Sequence, residues 1–440
     1  MNATATTAGG RADTGVTHGD WFGHPRGLTI LFLTEMWEKF SYYGMRALLM
    51  YYMVKQLAIP QENASWIYGG YTAFTYFTPI IGGLIADRIL GRRKAVIAGG
   101  AIMALGHFFM AFEGLFYPAL ITIGLGNGLF LPSLPSQVQT LYRADDPRLR
   151  SAYNVYYVGI NLGAVLAAFV CGTLGELFGW HWGFASAGVG MCLGLVVYTY
   201  GGRYLPREVE TAVPREEGAP SDDSWRERIL LLLGLIAIVV IFRGAYEQIG
   251  NTVALWTDNA VDRRLSSSWT IPATWFQALN PLLVFTLTPL LLAIWKRRAD
   301  RPFSPLKRMA LGAAIVSAAF ALLAACAAQG ATHWLWLVAF LVVYTLGELL
   351  ILPTGLGLFG RLAPRQLAAT SIAFWFSASF AGNLLAGAIG SLWSRFDASV
   401  FFLITTAVTA LAAALLLLAQ RYARNLMHDS SPTTQPRPER

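Results

Sequence analysis

Residues 64–94 read ASWIYGGYTAFTYFTPIIGGLIADRILGRRK. From Ala64 to Ala86 there is no charged side chain. That run is long enough to cross a bilayer, whose hydrocarbon core takes a helix of ~20 mostly apolar residues. It then stops in a burst of charge, with Asp87, Arg88, Arg92, Arg93 and Lys94 close together. An amphipathic surface helix would be apolar along one stripe only. A helix that is apolar all round and ends in a basic cluster reads as a membrane span with a cytoplasmic loop.

The pattern recurs along the chain. Apolar runs lie near residues 28–54, 64–87, 94–115, 117–141, 151–175 and 181–201, and again near 229–257, 272–295, 305–328, 333–359, 366–393 and 397–420. Of the 440 residues, 55% are hydrophobic and 13% charged, and the mean hydropathy is +0.48. A soluble domain carries roughly a quarter charged residues, so too little polar surface is present to coat a globule of this size. Between the sixth and seventh runs lies the one long polar stretch, Arg203 to Arg228, with Pro206, Pro214 and Pro220 among mixed charges. Such composition reads as a solvated linker. The expected architecture is all-α and integral to the membrane: two six-helix bundles over residues 25–202 and 229–424 around a central cavity, joined by a cytoplasmic linker at 203–228. The tails, 1–24 and 425–440, are expected to be disordered, and the first lacks the apolar centre of a cleavable signal peptide. A weak internal echo, FTPIIGGLIADRILGRRK against LTPLLLAIWKRRADRPFSPLK, supports paired halves.

Loop charge sets the orientation. About twenty Lys and Arg residues fall in the loops after the even-numbered runs, whereas the alternate loops hold Lys55, Arg263, Arg264 and Arg395. Both termini and the linker are therefore expected in the cytoplasm, and the protein in the plasma (inner) membrane, crossing it many times. The formal net charge of +8 is scattered over these short loops. It reads as an orientation signal and not as a nucleic-acid surface. Cys171, Cys192 and Cys326 sit inside apolar runs and read as small packing residues. Gly124, Gly126 and Gly128 lie within an apolar helix, where close helix contact explains them better than a phosphate loop. No nucleophile–base set or metal-ligand cluster stands out, so neither an enzyme nor a cofactor protein is expected.

A few charges fall where lipid should be. The first run carries Glu35, Glu38, Lys39 and Arg46, the seventh Arg243 and Glu247, and the tenth Glu348. Each costs ~2.5–3.5 kcal/mol at a helix centre, so the set would cost on the order of 20 kcal/mol facing lipid. They are expected to face one another in a shared wet chamber. Glu35 and Lys39 are four apart, as are Arg243 and Glu247, and Glu38, Tyr42 and Arg46 follow at the same step, so each set shares a helix face. Four acids against three bases leave one excess negative charge if all are ionised. Such a group can hold a proton in one state and release it in another as its ion-pair partners change.

On these residues the chain resembles the proton-dependent oligopeptide transporter family of the major facilitator superfamily, from Pro25 to Trp393. The first helix reads EMWEKFSYYGMR, similar to the family's ExxERFxYYGxR. The second helix and its loop end in the superfamily's GxxxDRxxGRRK pattern. Further matching stretches are YNVYYVGINLGAVLA, WHWGFASAGVGM, YEQIGNTVALW, PATWFQALNPLLVFTLTP, GELLILPTGL and IAFWFSASFAGN. The resemblance implies the twelve-helix major facilitator fold and proton-coupled symport of di- and tripeptides into the cytoplasm by alternating access. It implies proton coupling at Glu35, Glu38, Lys39 and Glu247. It implies peptide contacts at Tyr42, Tyr43, Arg46, Tyr71, Asn161, Asn280, Glu348, Trp375, Phe376 and Ser379. A zwitterionic peptide suits such a set, with cations for its carboxylate, Glu348 for its ammonium, asparagines for its amides and aromatics as tolerant walls. Asp87, Arg88, Arg92 and Arg93 are expected to latch the halves together on the cytoplasmic side when the site opens outward. The expected partners are short peptides, protons and lipid, and the protein is expected to act as a monomer.

The chain departs from the family at three places. The first-helix arginine is Lys39, the fourth-helix lysine falls at Leu131, and a seventh-helix aromatic falls at Arg243. Lysine lacks the planar fork of arginine. Arg243 is expected to replace the lost fourth-helix cation, as partner of Glu348 or of the substrate carboxylate. These departures also motivate an alternative, a major facilitator carrier of another organic anion or drug, with or without coupling to protons. A non-transporting receptor is a more remote alternative, since no sizeable soluble domain accompanies the apolar runs.

Overall fold

The computed structural model describes residues 20–21, 23–143, 146–206, 225–297, 303–330, 332–362 and 368–428. Among them are twelve long helices: α1 (Arg26–Tyr51), α2 (Gln61–Ile85), α3 (Arg92–Phe109), α4 (Phe116–Ser133), α5 (Leu149–Thr173), α6 (Trp180–Gly201), α7 (Trp225–Tyr246), α8 (Trp275–Arg297), α9 (Pro305–Ala328), α10 (Trp334–Leu362), α11 (Ala368–Gly390) and α12 (Ala398–His428). Among the described residues, nine segments are long and apolar enough to cross a membrane. The first helix is outside that set. Its apolarity is broken by the Glu35, Glu38, Lys39 and Arg46 charges, the feature that gives it a role in the site.

Local chemistry sets the helix ends. Pro25 and Pro60 immediately precede α1 and α2, where a missing N–H costs nothing because the first helical donors have no intrahelical partner. The α9 start has Ser304 accepting from the Lys307 amide at 3.3 Å, with Pro305 as the first helical residue. Gly91, at φ 77°, closes the π-turn after α2 and opens α3, a backbone conformation that a side chain would strain.

The apolar core falls into a C-terminal cluster centred on Phe242, Phe320, Phe340 and Phe402 and N-terminal clusters around Met45, Tyr68, Phe116 and Phe184 and around Leu31, Phe130 and Tyr198. The two halves meet along α2 against α11 and α5 against α8. At Gly69 the α2 backbone lies on that of α11, where an added Cβ would fall 2.6 Å from Gly387. The glycines of α4 behave as packing residues: Gly126 lies on the Gly99 carbonyl of α3, and Gly124 accepts a hydrogen bond from Thr78 at 2.8 Å. The cysteines are free, with Cys171 and Cys326 buried.

Four sequence boundaries shift, one of them at the C-terminus, where α12 runs to His428 and takes in the first four residues of the expected tail. The seventh run, expected to be continuous over 229–257, begins at Trp225 and is broken. After α7 comes a 3-10 turn, Glu247–Gly250, then Asn251 at φ −109° and ψ −93°, then a short helix Thr252–Ala260. Part of the expected N-terminal tail is structured: Asp20–Trp21 pairs antiparallel with His24–Pro25, and Arg26 lies over the Trp21 ring at 5.2 Å. The linker's first residues belong to a 3-10 turn, Gly202–Tyr204. The rest of the expected tails and linker, 1–19, 207–224 and 429–440, lies outside the described residues.

Candidate functional site

Between the halves lies a cavity of about 240 Å³. Its walls carry four charged residues, Arg46 from α1, Arg243 from α7, Glu247 from the turn after α7 and Glu348 from α10. Asn161 and Asn280 line it as well, with tyrosines including Tyr43 and Tyr76.

Glu247 is the hub. Its Oε2 lies 2.5 Å from the Arg46 guanidinium, across the interface, and its Oε1 lies 2.7 Å from that of Arg243. Glu247 is 3% exposed and Arg243 5%. At such burial an ion pair persists only with close geometry and further hydrogen bonds. Arg46 Nε donates to the Tyr68 hydroxyl at 2.8 Å, and the Arg243 guanidinium lies 5.3 Å over the Tyr76 ring. The break in α7 positions the hub. The Gly250 backbone approaches the Tyr68 hydroxyl so closely that a Cβ would collide with it. Gln248 donates to the carbonyls of Gly244 and Ala386, each at 2.9 Å, and Tyr344 donates to the Tyr246 carbonyl at 2.8 Å.

Glu348 stands apart from that hub. It accepts from Asn280 at 2.7 Å, and the same amide donates to Thr345 at 3.0 Å. Among the described residues no cation lies within 4 Å of Glu348. Arg243 is therefore paired with Glu247, one turn away on its own chain segment, and not with Glu348, one of the two partners expected for it beside the substrate carboxylate.

The expected single chamber is in fact two sites. Glu35, Glu38 and Lys39 line no part of the cavity. Lys39 Nζ sits 2.6 Å from Glu38 and 3.4 Å from Glu35, and Glu35 accepts from the Tyr156 hydroxyl at 2.5 Å. This triad is sealed between α1 and α5, where Gly163 lets the two backbones close over it. Eleven residues separate Glu35 from Arg46, about 16 Å along a helix. Between them, Lys39 approaches the ring of Tyr42 at 5.9 Å, and Tyr42 meets the cavity-lining Tyr43 edge-on at 5.3 Å.

The remaining expected contacts divide. Phe376 reaches the ring of Tyr76 at 6.3 Å. Tyr71 is buried off the cavity, with its hydroxyl unpartnered. Trp375 and Ser379 do not reach it either: the Trp375 ring packs edge-on against Phe359 at 5.3 Å, and the Ser379 hydroxyl donates to the Trp375 carbonyl at 3.0 Å. The face of α11 that carries them is turned into the C-terminal core. Of the expected latch, Asp87 pairs with Arg92 at 3.5 Å and Arg93 lies against Gly202 at the end of α6, both contacts within the N-terminal half. Leu131, in the place of the family's lysine, is half-buried and lines no part of the cavity.

Sequence reasoning missed Tyr68, Tyr76, Tyr156 and Tyr246. The signal for two of them was present. Tyr68, Thr72 and Tyr76 recur every four residues and so form one ridge of α2, whereas Tyr71 lies off that line. A second missed feature ties the halves at one end. Glu176, just after α5, accepts the backbone amides of Ala273 and Thr274 at 3.0 and 2.7 Å, capping the approach to α8. Trp275 donates to Thr173 at 2.8 Å, Ser65 to Asn251 at 2.9 Å, and Arg395 meets Glu62 at 2.8 Å. Lys55 pairs with Asp258 there as well. These ties lie at the end of the bundle away from the α6–α7 junction, so that end of the cavity is shut.

Two helical bundles meeting around a cavity that places buried charges midway along the spans define a membrane carrier. The chain belongs to the POT family, whose model matches residues 93–212 and 221–410. It is 30% identical to a Bacillus subtilis protein named uncharacterized transporter YclF, over 92% of this chain and 96% of that one. It is 29% identical to the di-/tripeptide transporter of Lactococcus lactis subsp. cremoris, over 94% and 98%. The crystal structure of a peptide transporter POT with alafosfalin superposes with a TM-score of 0.86 at 28% identity, over 92% of this chain and 96% of that chain.

Proposed function

We propose that this protein is a symporter carrying di- and tripeptides into the cytoplasm with protons, by alternating access. The observation that carries the reading is the separation of charge across the cavity, with Arg46 and Arg243 gathered on Glu247 and Glu348 held apart by Asn280. A short peptide is a zwitterion of matching polarity. Its carboxylate suits the guanidinium of Arg46, its ammonium suits Glu348, and Asn161 and Asn280 offer donors and acceptors to its amides. The tyrosines give walls that tolerate varied side chains.

Proton coupling follows from the hub. While Glu247 is ionised it satisfies Arg46 across the interface. A proton on Glu247 weakens that bridge and frees Arg46 for the peptide carboxylate. Peptide and proton then stabilise the same conformations, and a ligand moves such an equilibrium only by its differential affinity for the two states. The Glu35–Glu38–Lys39 triad acts as a second proton-sensitive group that alters the packing of α1 on α5. Loop charge supports termini in the cytoplasm of an inner-membrane protein, which makes the shut end the outer one. On that orientation the Asp87–Arg93 cluster lies at the cytoplasmic end and engages the other half when the outer end opens.

Uptake of labelled dialanine into proteoliposomes, with and without an inward proton gradient, tests the reading. Peptide uptake driven by the gradient is expected. Absence of any peptide uptake overturns it. Uptake of organic anions alone would favour the alternative that Lys39, Leu131 and Arg243 suggest.

A further inference from the structure

The charged groups lining the cavity balance in number, Arg46 and Arg243 against Glu247 and Glu348. That balance fails at the moment of substrate binding. When Glu247 carries its proton, two guanidiniums face a single carboxylate, and a zwitterionic peptide adds no net charge to cancel the excess. A peptide with one acidic side chain does cancel it.

Geometry singles out Arg243 as the residue to meet that second anion. Glu247 serves the two guanidiniums with one oxygen each. Arg46 has another partner in the Tyr68 hydroxyl. Arg243 instead rests over the Tyr76 ring, and its Nε is buried with no acceptor. A guanidinium carries five N–H donors in a fixed fork. Arg243, 5% exposed and lining the cavity, therefore holds one N–H donor, at Nε, that its own protein leaves unused. The two arginines also come from opposite halves, Arg46 from α1 and Arg243 from α7, so two carboxylates on one small molecule would be gripped from both sides of the interface.

We propose that Arg243 is a specificity residue selecting peptides with an acidic side chain, which it holds by the side-chain carboxylate while Arg46 holds the terminal one. The inference rests on the peptide reading above and names the substrate class of the same site. A neutral or basic peptide can enter, but leaves the cavity with uncompensated positive charge in a low-dielectric setting.

Competition against labelled dialanine uptake in proteoliposomes tests it, with alanyl-glutamate, the near-isosteric alanyl-glutamine and alanyl-lysine as competitors. In the wild type the acid should compete about tenfold better than the amide, the factor expected of one charge-assisted hydrogen bond. Alanyl-lysine should compete worst. In Arg243→Gln the acid-to-amide ratio should fall to about one, while Arg243→Lys, which keeps the charge without the fork, should retain part of it. Equal competition by acid and amide in the wild type overturns the proposal without recourse to any variant, as does a ratio that survives Arg243→Gln. A wild type that takes up no peptide at all overturns the peptide reading itself, a result distinct from peptide uptake without acidic preference.

Discussion

Arg46 and Glu247 meet across the interface between the halves, 2.5 Å apart, although 201 residues separate them in sequence. The pair makes the protonation of one carboxylate a statement about how the two bundles sit against each other. It also explains why α1 tolerates an arginine in its apolar span.

Glu247→Gln should remove the carboxylate proposed for coupling while keeping the shape of the hub. Gradient-driven uptake of dialanine should fall by at least about tenfold, because the amide neither takes up the coupling proton nor holds two guanidiniums as a carboxylate does. Exchange of peptide at equal concentrations on both sides needs no net proton movement and should survive better. Equal loss of uptake and exchange would count against Glu247 as the coupling group.

Glu348→Gln should weaken recognition of the peptide amino terminus. Wild-type protein should prefer dialanine to its N-acetyl derivative, and the variant should lose that preference, by about tenfold or more in half-inhibitory concentration. Undiminished discrimination in the variant would assign the ammonium to another group.

Glu176→Ala should loosen the shut end. The change leaves the Ala273 and Thr274 amides without their acceptor, at a cost of ~1–3 kcal/mol where water does not replace it. The population should move toward the conformation open at that end, measured as faster labelling of a cysteine introduced at Thr173 by a membrane-impermeant maleimide. A rate unchanged from that of the same cysteine in the parent protein would mean that Ser65–Asn251 and Glu62–Arg395 hold the end shut without Glu176.

Tyr156→Phe should act on the sealed triad alone. It deletes the hydroxyl that donates to Glu35 while leaving the cavity lining untouched. The pH at which uptake is half-maximal should shift, with the apparent KM for peptide changing less than twofold, or about 0.4 kcal/mol. A changed KM with an unmoved pH profile would place the triad in substrate binding and not in coupling.

Spacing within a helix was readable in advance and contact between helices was not. Arg243 with Glu247 and Lys39 with Glu35 follow from the four-residue step. The apolar runs located the spans because lipid demands them. The resemblance pointed to Asn280 and Glu348 separately, and the structure adds that they bond to each other. By contrast, the division of the buried charges into a triad and a hub depends on which face of α1 meets α5, and the four-residue steps along α1 mark its faces without naming the neighbour of each. Trp375 and Ser379 were misjudged for the same reason: aromatic and small residues serve a cavity wall and a packed core equally well. The interruption after α7 did have a trace, Gly250 followed by Asn251 inside an apolar run, but the surrounding hydropathy concealed it.

That interruption has a consequence for the empty carrier. A helix broken inside a membrane strands carbonyl oxygens, and water or cargo must often satisfy them. Here Gln248 and Tyr344 supply the donors from the protein itself, to Gly244 and Tyr246. The bend is thus a permanent elbow, whole whether or not anything is aboard. After delivery the protein can swing back unladen without first rebuilding the joint that presents Glu247.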